Sequence, residues 1–70
     1  MGADLQTVWI NGEKREALSK TVAELVTELG LVPSTLLVEH NGQALTRDEW
    51  NGRVVASGDR LELLRISAGG

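Results

Sequence analysis

The stretch LQTVWINGEKREALSKTVAELVTELG, residues 5–30, decides the fold, because it predicts a β-hairpin followed directly by a helix. Asn11-Gly12 separates two short strand-like segments, and this dipeptide readily takes the positive φ angles of a two-residue type I′ turn. Successive strand residues point to opposite faces of a sheet. We therefore expect Val8 and Ile10 to face a core and Trp9 to face outward.

The second half of this stretch has the signals of an amphipathic helix. Thr21 and Glu24 have the spacing of a capping box, which marks a helix start. Gly30 suits a left-handed C-cap that ends the helix. Apolar residues recur at the helical spacing i, i+3, i+4, i+7, at Val22, Leu25, Val26 and Leu29.

Further short strands follow the helix. Pro33 prevents its continuation, and LLVEH (36–40) before Asn41-Gly42 predicts a third strand that turns into a short fourth around Ala44-Leu45. TRDEW (46–50) fits one helical turn, and RLELLRI (60–66) after Gly58-Asp59 fits the final strand. The pattern predicts an α+β fold, a ubiquitin-like β-grasp with a mixed sheet of four to five strands packed on one helix. We expect residues 1–66 to form this domain and residues 67–70 to form a flexible tail ending in Gly-Gly.

Composition argues against several functional classes. Seven Lys and Arg residues against ten Asp and Glu residues give a net charge of −3, which disfavours binding to nucleic acid. The chain has no cysteine and a single histidine, His40, so we expect no metal site, no bound cofactor and no catalytic thiol. The longest apolar run, residues 36–38, is far too short for a membrane span. Seventy residues make one small domain with a simple core, which disfavours a multi-part active site, so we expect a cytoplasmic protein that is not itself an enzyme.

Alternation in the last strand predicts that apolar side chains lie on the outer face of the sheet, opposite the helix. Leu61 and Leu63 should pack beneath the helix, which leaves Glu62 and other residues of the strand on the opposite face of the sheet. In a β-grasp sheet the first and third strands flank the last one. We therefore expect an exposed apolar patch suited to docking a partner protein. Its predicted members are Trp9, Leu37, Leu64 and Ile66.

Four motifs carry a family resemblance. TVAEL, NGQALTRDEW, SGDRLEL and SAGG, in this order and over nearly the whole chain, resemble the ThiS family of thiamin-biosynthesis sulfur carriers. A terminal Gly-Gly alone is shared with ubiquitin and with MoaD, the small subunit of molybdopterin synthase. However, MoaD-like proteins are usually longer and tend to carry Phe and Pro before the glycines. This chain has no Phe, and its single Pro is Pro33.

The resemblance implies a function for the end of the chain. A ThiF/MoeB-like partner would use ATP to adenylate Gly70, and a sulfur donor such as a cysteine desulfurase would convert the adenylate to a thiocarboxylate. A ThiG-like thiazole synthase would then receive the sulfur. Gly69 and Gly70 suit this role physically, because residues without Cβ can thread a narrow channel.

Alternative interpretations of the same residues remain. The chain could carry sulfur for another pathway, such as molybdopterin or a specialised metabolite, or it could be a ubiquitin-like protein modifier joined through Gly70. We expect Trp50 to plug the edge of the core, His40 to be solvated or packed without a ligand, and Asp59 to make a turn hydrogen bond.

Overall fold

The computed structural model describes residues 5–66, and these form one sheet covered by a helix. The hairpin β1–β2 is followed by the helix α1, the strand pair β3–β4 and the final strand β5, with two short 3₁₀ helices between them. The bounds are β1 Gln6–Ile10, β2 Glu13–Ala17, α1 Val22–Glu28, 3₁₀ Pro33–Thr35, β3 Leu36–His40, β4 Gln43–Leu45, 3₁₀ Arg47–Gly52 and β5 Arg60–Arg65.

The sheet is mixed and has five strands in the order β2-β1-β5-β3-β4. β5 runs parallel to β1 and antiparallel to β3, so the last strand of the chain occupies the centre of the sheet. The predicted β-grasp arrangement is confirmed, and β5 is flanked by β1 and β3 as expected.

The turns form where the Asn-Gly pairs predict them. Asn11 and Gly12 both have positive φ, at 51° and 82°, and Asn41 and Gly42 repeat this geometry at 51° and 86°. Two successive positive φ values define the type I′ turn, whose twist matches that of the flanking strands.

The helix begins and ends at the predicted residues. The Thr21 hydroxyl accepts a hydrogen bond from the Glu24 N–H, and the Glu24 carboxylate accepts one from the Thr21 N–H, which completes the capping box. At the other end Gly30 has φ 74°, its N–H donates to the Thr27 carbonyl, and the Leu31 N–H donates to the Val26 carbonyl. This pair of bonds is a Schellman motif, in which a left-handed glycine satisfies the last free carbonyls.

The core lies between the helix and the inner face of the sheet. Val8, Ile10, Leu61 and Leu63 are buried as alternation predicts, and Trp50 is also buried and belongs to the core. The helical turn predicted at residues 46–50 is present and continues to Gly52. The complete buried apolar set is Val8, Ile10, Ala17, Val22, Leu25, Val26, Leu36, Val38, Leu45, Trp50, Val55, Leu61 and Leu63.

No helix within residues 5–66 has the length and apolar character needed to cross a membrane. The predicted tail, residues 67–70, lies outside the described residues, and so do Gly69 and Gly70. The domain boundary at residue 66 therefore stays a prediction.

Candidate functional site

The candidate site is the outer face of the sheet, opposite the helix. It is built by strand alternation, because every inward core residue leaves its neighbours pointing away from the core. All four predicted docking residues are exposed: Leu64 by 63%, Leu37 by 53%, and Trp9 and Ile66 by 41% each. Other large apolar side chains are also exposed, among them Leu5 and Val54. Exposure alone therefore does not define a site, and the arrangement of the residues matters more.

Leu37 and Leu64 form the centre of the apolar patch. They are direct partners in the antiparallel register between β3 and β5, so their side chains stand next to each other on the outer face. Both line a groove whose floor and walls include Ala44 of β4. Ile66 is the first residue after β5, and Thr35 is the last residue before β3. The Ile66 N–H donates to the Thr35 carbonyl at 2.6 Å, so the backbone hydrogen bonding between β5 and β3 continues one step beyond both strands.

Trp9 does not join this apolar pair. Its register partner on β5 is Arg60, four residues before Leu64. At about 3.3 Å per residue, that spacing places the two positions roughly 13 Å apart along the strand. Trp9 instead lines a separate depression with Gly12, Arg60 and Glu62. The predicted four-residue patch is thus divided into an apolar end at Leu37 and Leu64 and a second end at Trp9, where charged side chains line the same depression as the indole.

Acidic side chains separate the two ends of the outer face. Glu39 and Glu62 are direct register partners on β3 and β5, both are exposed, and both line the groove that contains Leu37 and Leu64. No sequence pattern singled out Glu39. Strand alternation predicted that Glu62 lies on this face, but its pairing with Glu39 follows only from the register between β3 and β5.

His40 and Asp59 form a second polar pair that the sequence did not predict. His40 Nε2 lies 2.7 Å from Asp59 Oδ2, and the Ala56 N–H donates to the same oxygen at 2.9 Å. The Asn41 side chain donates to Asp59 Oδ1. Partial desolvation opposes these interactions, but the hydrogen bonds hold the pKa of Asp59 below its ordinary value.

This polar pair has a structural role in the last turn. The predicted turn hydrogen bond of Asp59 is confirmed, and His40 is packed against the core rather than solvated. The pair adjoins the beginning of β5, whereas the predicted tail follows the end of that strand. Residues 5–66 contain no group of three or more His, Cys, Asp or Glu side chains that could hold a metal ion.

Comparisons with known proteins agree on one family. The ThiS family model matches residues 8–70 of the chain. The sulfur carrier protein ThiS of Thermus thermophilus is 33% identical over 63 residues, which cover 90% of this chain and 98% of that protein.

Two solved structures show the same fold. The crystal structure of the thiamine biosynthesis protein ThiS from Geobacter metallireducens superposes with a TM-score of 0.80 at 28% identity, covering 93% of this chain and all of that one. A solution NMR structure of a thiamine biosynthesis protein from the same organism gives a TM-score of 0.76 at 28% identity, covering 93% and 88% of the two chains.

Proposed function

The chain belongs to the ThiS family, and from this membership we propose that it is a sulfur carrier in thiamin biosynthesis whose Gly70 carries the sulfur as a thiocarboxylate. The observation that carries the proposal is that the family match extends through residue 70 and so includes both glycines of the Gly69-Gly70 end. The absence of cysteine from the sequence supports it, because no side-chain thiol competes for the sulfur.

The proposed chemistry starts from an unreactive carboxylate. An ATP-using adenylating enzyme joins the Gly70 carboxylate to AMP and releases pyrophosphate, which makes the carbonyl carbon electrophilic. A sulfur donor such as a cysteine desulfurase presents its sulfur as a persulfide, whose outer sulfur forms a carbon–sulfur bond at this carbon while AMP leaves. A thiol then reduces the S–S bond of the resulting acyl disulfide, which releases the donor and leaves sulfur on the Gly70 carbonyl carbon. The resulting thiocarboxylate delivers its sulfur to a thiazole synthase. In this scheme the partner enzymes perform the catalysis, and ATP is bound by the adenylating partner.

The carrier contributes a reactive end and a surface that positions it. We assign the surface to the apolar end of the outer face, Leu37, Leu64 and Ile66, because it adjoins the point where β5 leads into residues 67–70. Trp9 lies farther along the same face, and its part in docking stays a prediction. A cytoplasmic location is consistent with this role and also stays a prediction.

Intact-protein mass spectrometry tests the proposal. The full chain is incubated with ATP, the adenylating enzyme of the same organism, a cysteine desulfurase and cysteine. We expect a mass increase equal to the replacement of one oxygen by sulfur, and no increase for a matched variant lacking Gly70. An unchanged mass for the full chain contradicts the proposal. Lysine-linked conjugates of high mass in native cells indicate a protein modifier instead.

A further inference from the structure

The outer face of the sheet carries two carboxylates in directly opposite positions. Glu39 and Glu62 are directly opposite in the antiparallel register of β3 and β5, and both are exposed. Like charges in directly opposite positions destabilise a strand pair. Within residues 5–66 no Lys or Arg nitrogen lies within salt-bridge distance of either glutamate. Arg60, two residues before Glu62 on the same face, shares a depression with Glu62 but does not lie between the two carboxylates.

This carboxylate pair is continuous with the apolar pair Leu37 and Leu64. Each glutamate lies two residues from a leucine of the same strand, on the same face, at a spacing of about 7 Å. All four side chains line one groove, and the small side chain of Ala44 leaves it open beside Glu39. A partner that covers the leucines therefore also covers the carboxylates.

The short reach of residues 67–70 limits how far the adenylating partner can lie from the end of β5. Residues 67–70 can extend at most about 14 Å from Ile66, since an extended chain spans no more than about 3.6 Å per residue. An enzyme that holds Gly70 in its active site must therefore contact the carrier close to the end of β5. The apolar pair lies next to this end of the outer face, and the carboxylate pair lies two residues farther along each strand.

We infer that the adenylating enzyme places an arginine or lysine side chain, flanked by apolar side chains, over the Glu39 and Glu62 carboxylates. This inference rests on the proposed function and adds the chemistry of the partner surface. Removing two like charges from water without a cation is costly, so an entirely apolar partner surface would be rejected. A partner cation placed over both carboxylates offsets their mutual repulsion in the complex, and it also attracts a carrier of net charge −3.

The test compares two double variants that change the net charge equally. Glu39→Gln with Glu62→Gln removes the carboxylate pair, whereas Glu13→Gln with Glu16→Gln removes two exposed carboxylates of the edge strand β2. Glutamine keeps the size of the side chain, and loss of the repulsion should leave the free energy of unfolding no lower than in the parent. Binding of each full-length protein to the adenylating enzyme of the same organism is measured by calorimetry without ATP, at low and high salt and with EDTA.

We expect the variant at residues 39 and 62 to bind with a Kd about tenfold higher than the parent and with a weaker salt dependence. The β2 variant should stay within about twofold of the parent. Equal affinities of the two variants overturn the inference. Loss of parent binding on addition of EDTA also overturns it, because a bridging metal ion and not a partner side chain would then neutralise the carboxylates.

A mass measurement separates failure of this inference from failure of the proposed function. If the parent acquires sulfur normally and the variant at residues 39 and 62 binds as tightly as the parent, only the inference about a cation on the partner surface is overturned. A parent that neither binds the adenylating enzyme nor gains sulfur overturns both proposals.

Discussion

The side-chain amide of Asn11 makes both of its hydrogen bonds to the backbone of Leu63, 52 residues later in the chain. Nδ2 of Asn11 donates to the Leu63 carbonyl at 3.1 Å, and the Leu63 N–H donates to Oδ1 of Asn11 at 2.8 Å. Asn11 follows the last residue of β1, so its side chain continues the pairing with β5 beyond the end of that strand. The segment of β5 next to Leu64 is therefore held by a turn residue.

Asn11→Gly should destabilise the domain while keeping the hairpin turn. Glycine accepts the φ of 51° at this position, so the main change is the loss of two hydrogen bonds. We expect the free energy of unfolding to fall by about 1–3 kcal/mol, measured by urea denaturation. Hydrogen exchange should accelerate at the Leu63 amide more than at the Val8 amide. An unchanged stability together with unchanged exchange at Leu63 would show that this amide does not support β5.

Neighbouring leucines of β5 should respond oppositely to the same substitution. Leu64 is 63% exposed and Leu63 is 8% exposed. Leu64→Asp should change the free energy of unfolding by less than about 1 kcal/mol and weaken binding to the adenylating enzyme more than tenfold. Leu63→Asp should largely unfold the domain, because it buries an unpaired carboxylate. Circular dichroism melting and a binding assay on both variants provide the measurement. A folded Leu64→Asp protein with parental affinity would remove Leu64 from the docking surface.

Gly69→Ala tests whether the partner closely encloses the end of the chain. The buried core of the described residues ends at Leu63, so we expect thermal stability to stay at the parental value. The added methyl group restricts φ by an amount worth about 1 kcal/mol in an open chain, but it clashes directly in a narrow channel. ATP–pyrophosphate exchange by the adenylating enzyme should fall sharply. Exchange at the parental rate would mean that Gly69 is not tightly enclosed.

Asp59 should make the domain sensitive to acid. Its pKa in the folded protein is lowered by hydrogen bonds, against the opposing effect of partial desolvation. The stability that Asp59 contributes is therefore fully present above its unfolded pKa of about 3.9, and it is lost as the pH falls through the lower native pKa. Urea denaturation between about pH 7 and pH 2 should show this loss in the parent. Asp59→Asn should be less stable at neutral pH and show a smaller decrease below about pH 4. The exposed-site variant Asp48→Asn serves as the control and should keep the parental pH profile.

Local sequence signals determined the elements of this protein and the faces of its strands. The Asn11-Gly12 turn, the Thr21–Glu24 capping box and the Gly30 cap each depend on residues no more than a few positions apart, so their geometry can be derived from the sequence. The alternation that buries Leu63 and exposes Leu64 has the same local origin, since the pleat of a strand repeats every two residues.

Only the tertiary structure decided which outward residues meet. The pairing of Glu39 with Glu62, the separation of Trp9 from Leu64 and the bonds between Asn11 and Leu63 all depend on strand register between distant segments. Alternation specifies a face but not the residue across from it, because a shift by two residues preserves every inward and outward assignment. Register is fixed by the packing of the whole core and by the turns together. The sequence therefore predicted an exposed apolar face, and the folded sheet determined that its centre is Leu37 with Leu64 beside two opposed carboxylates.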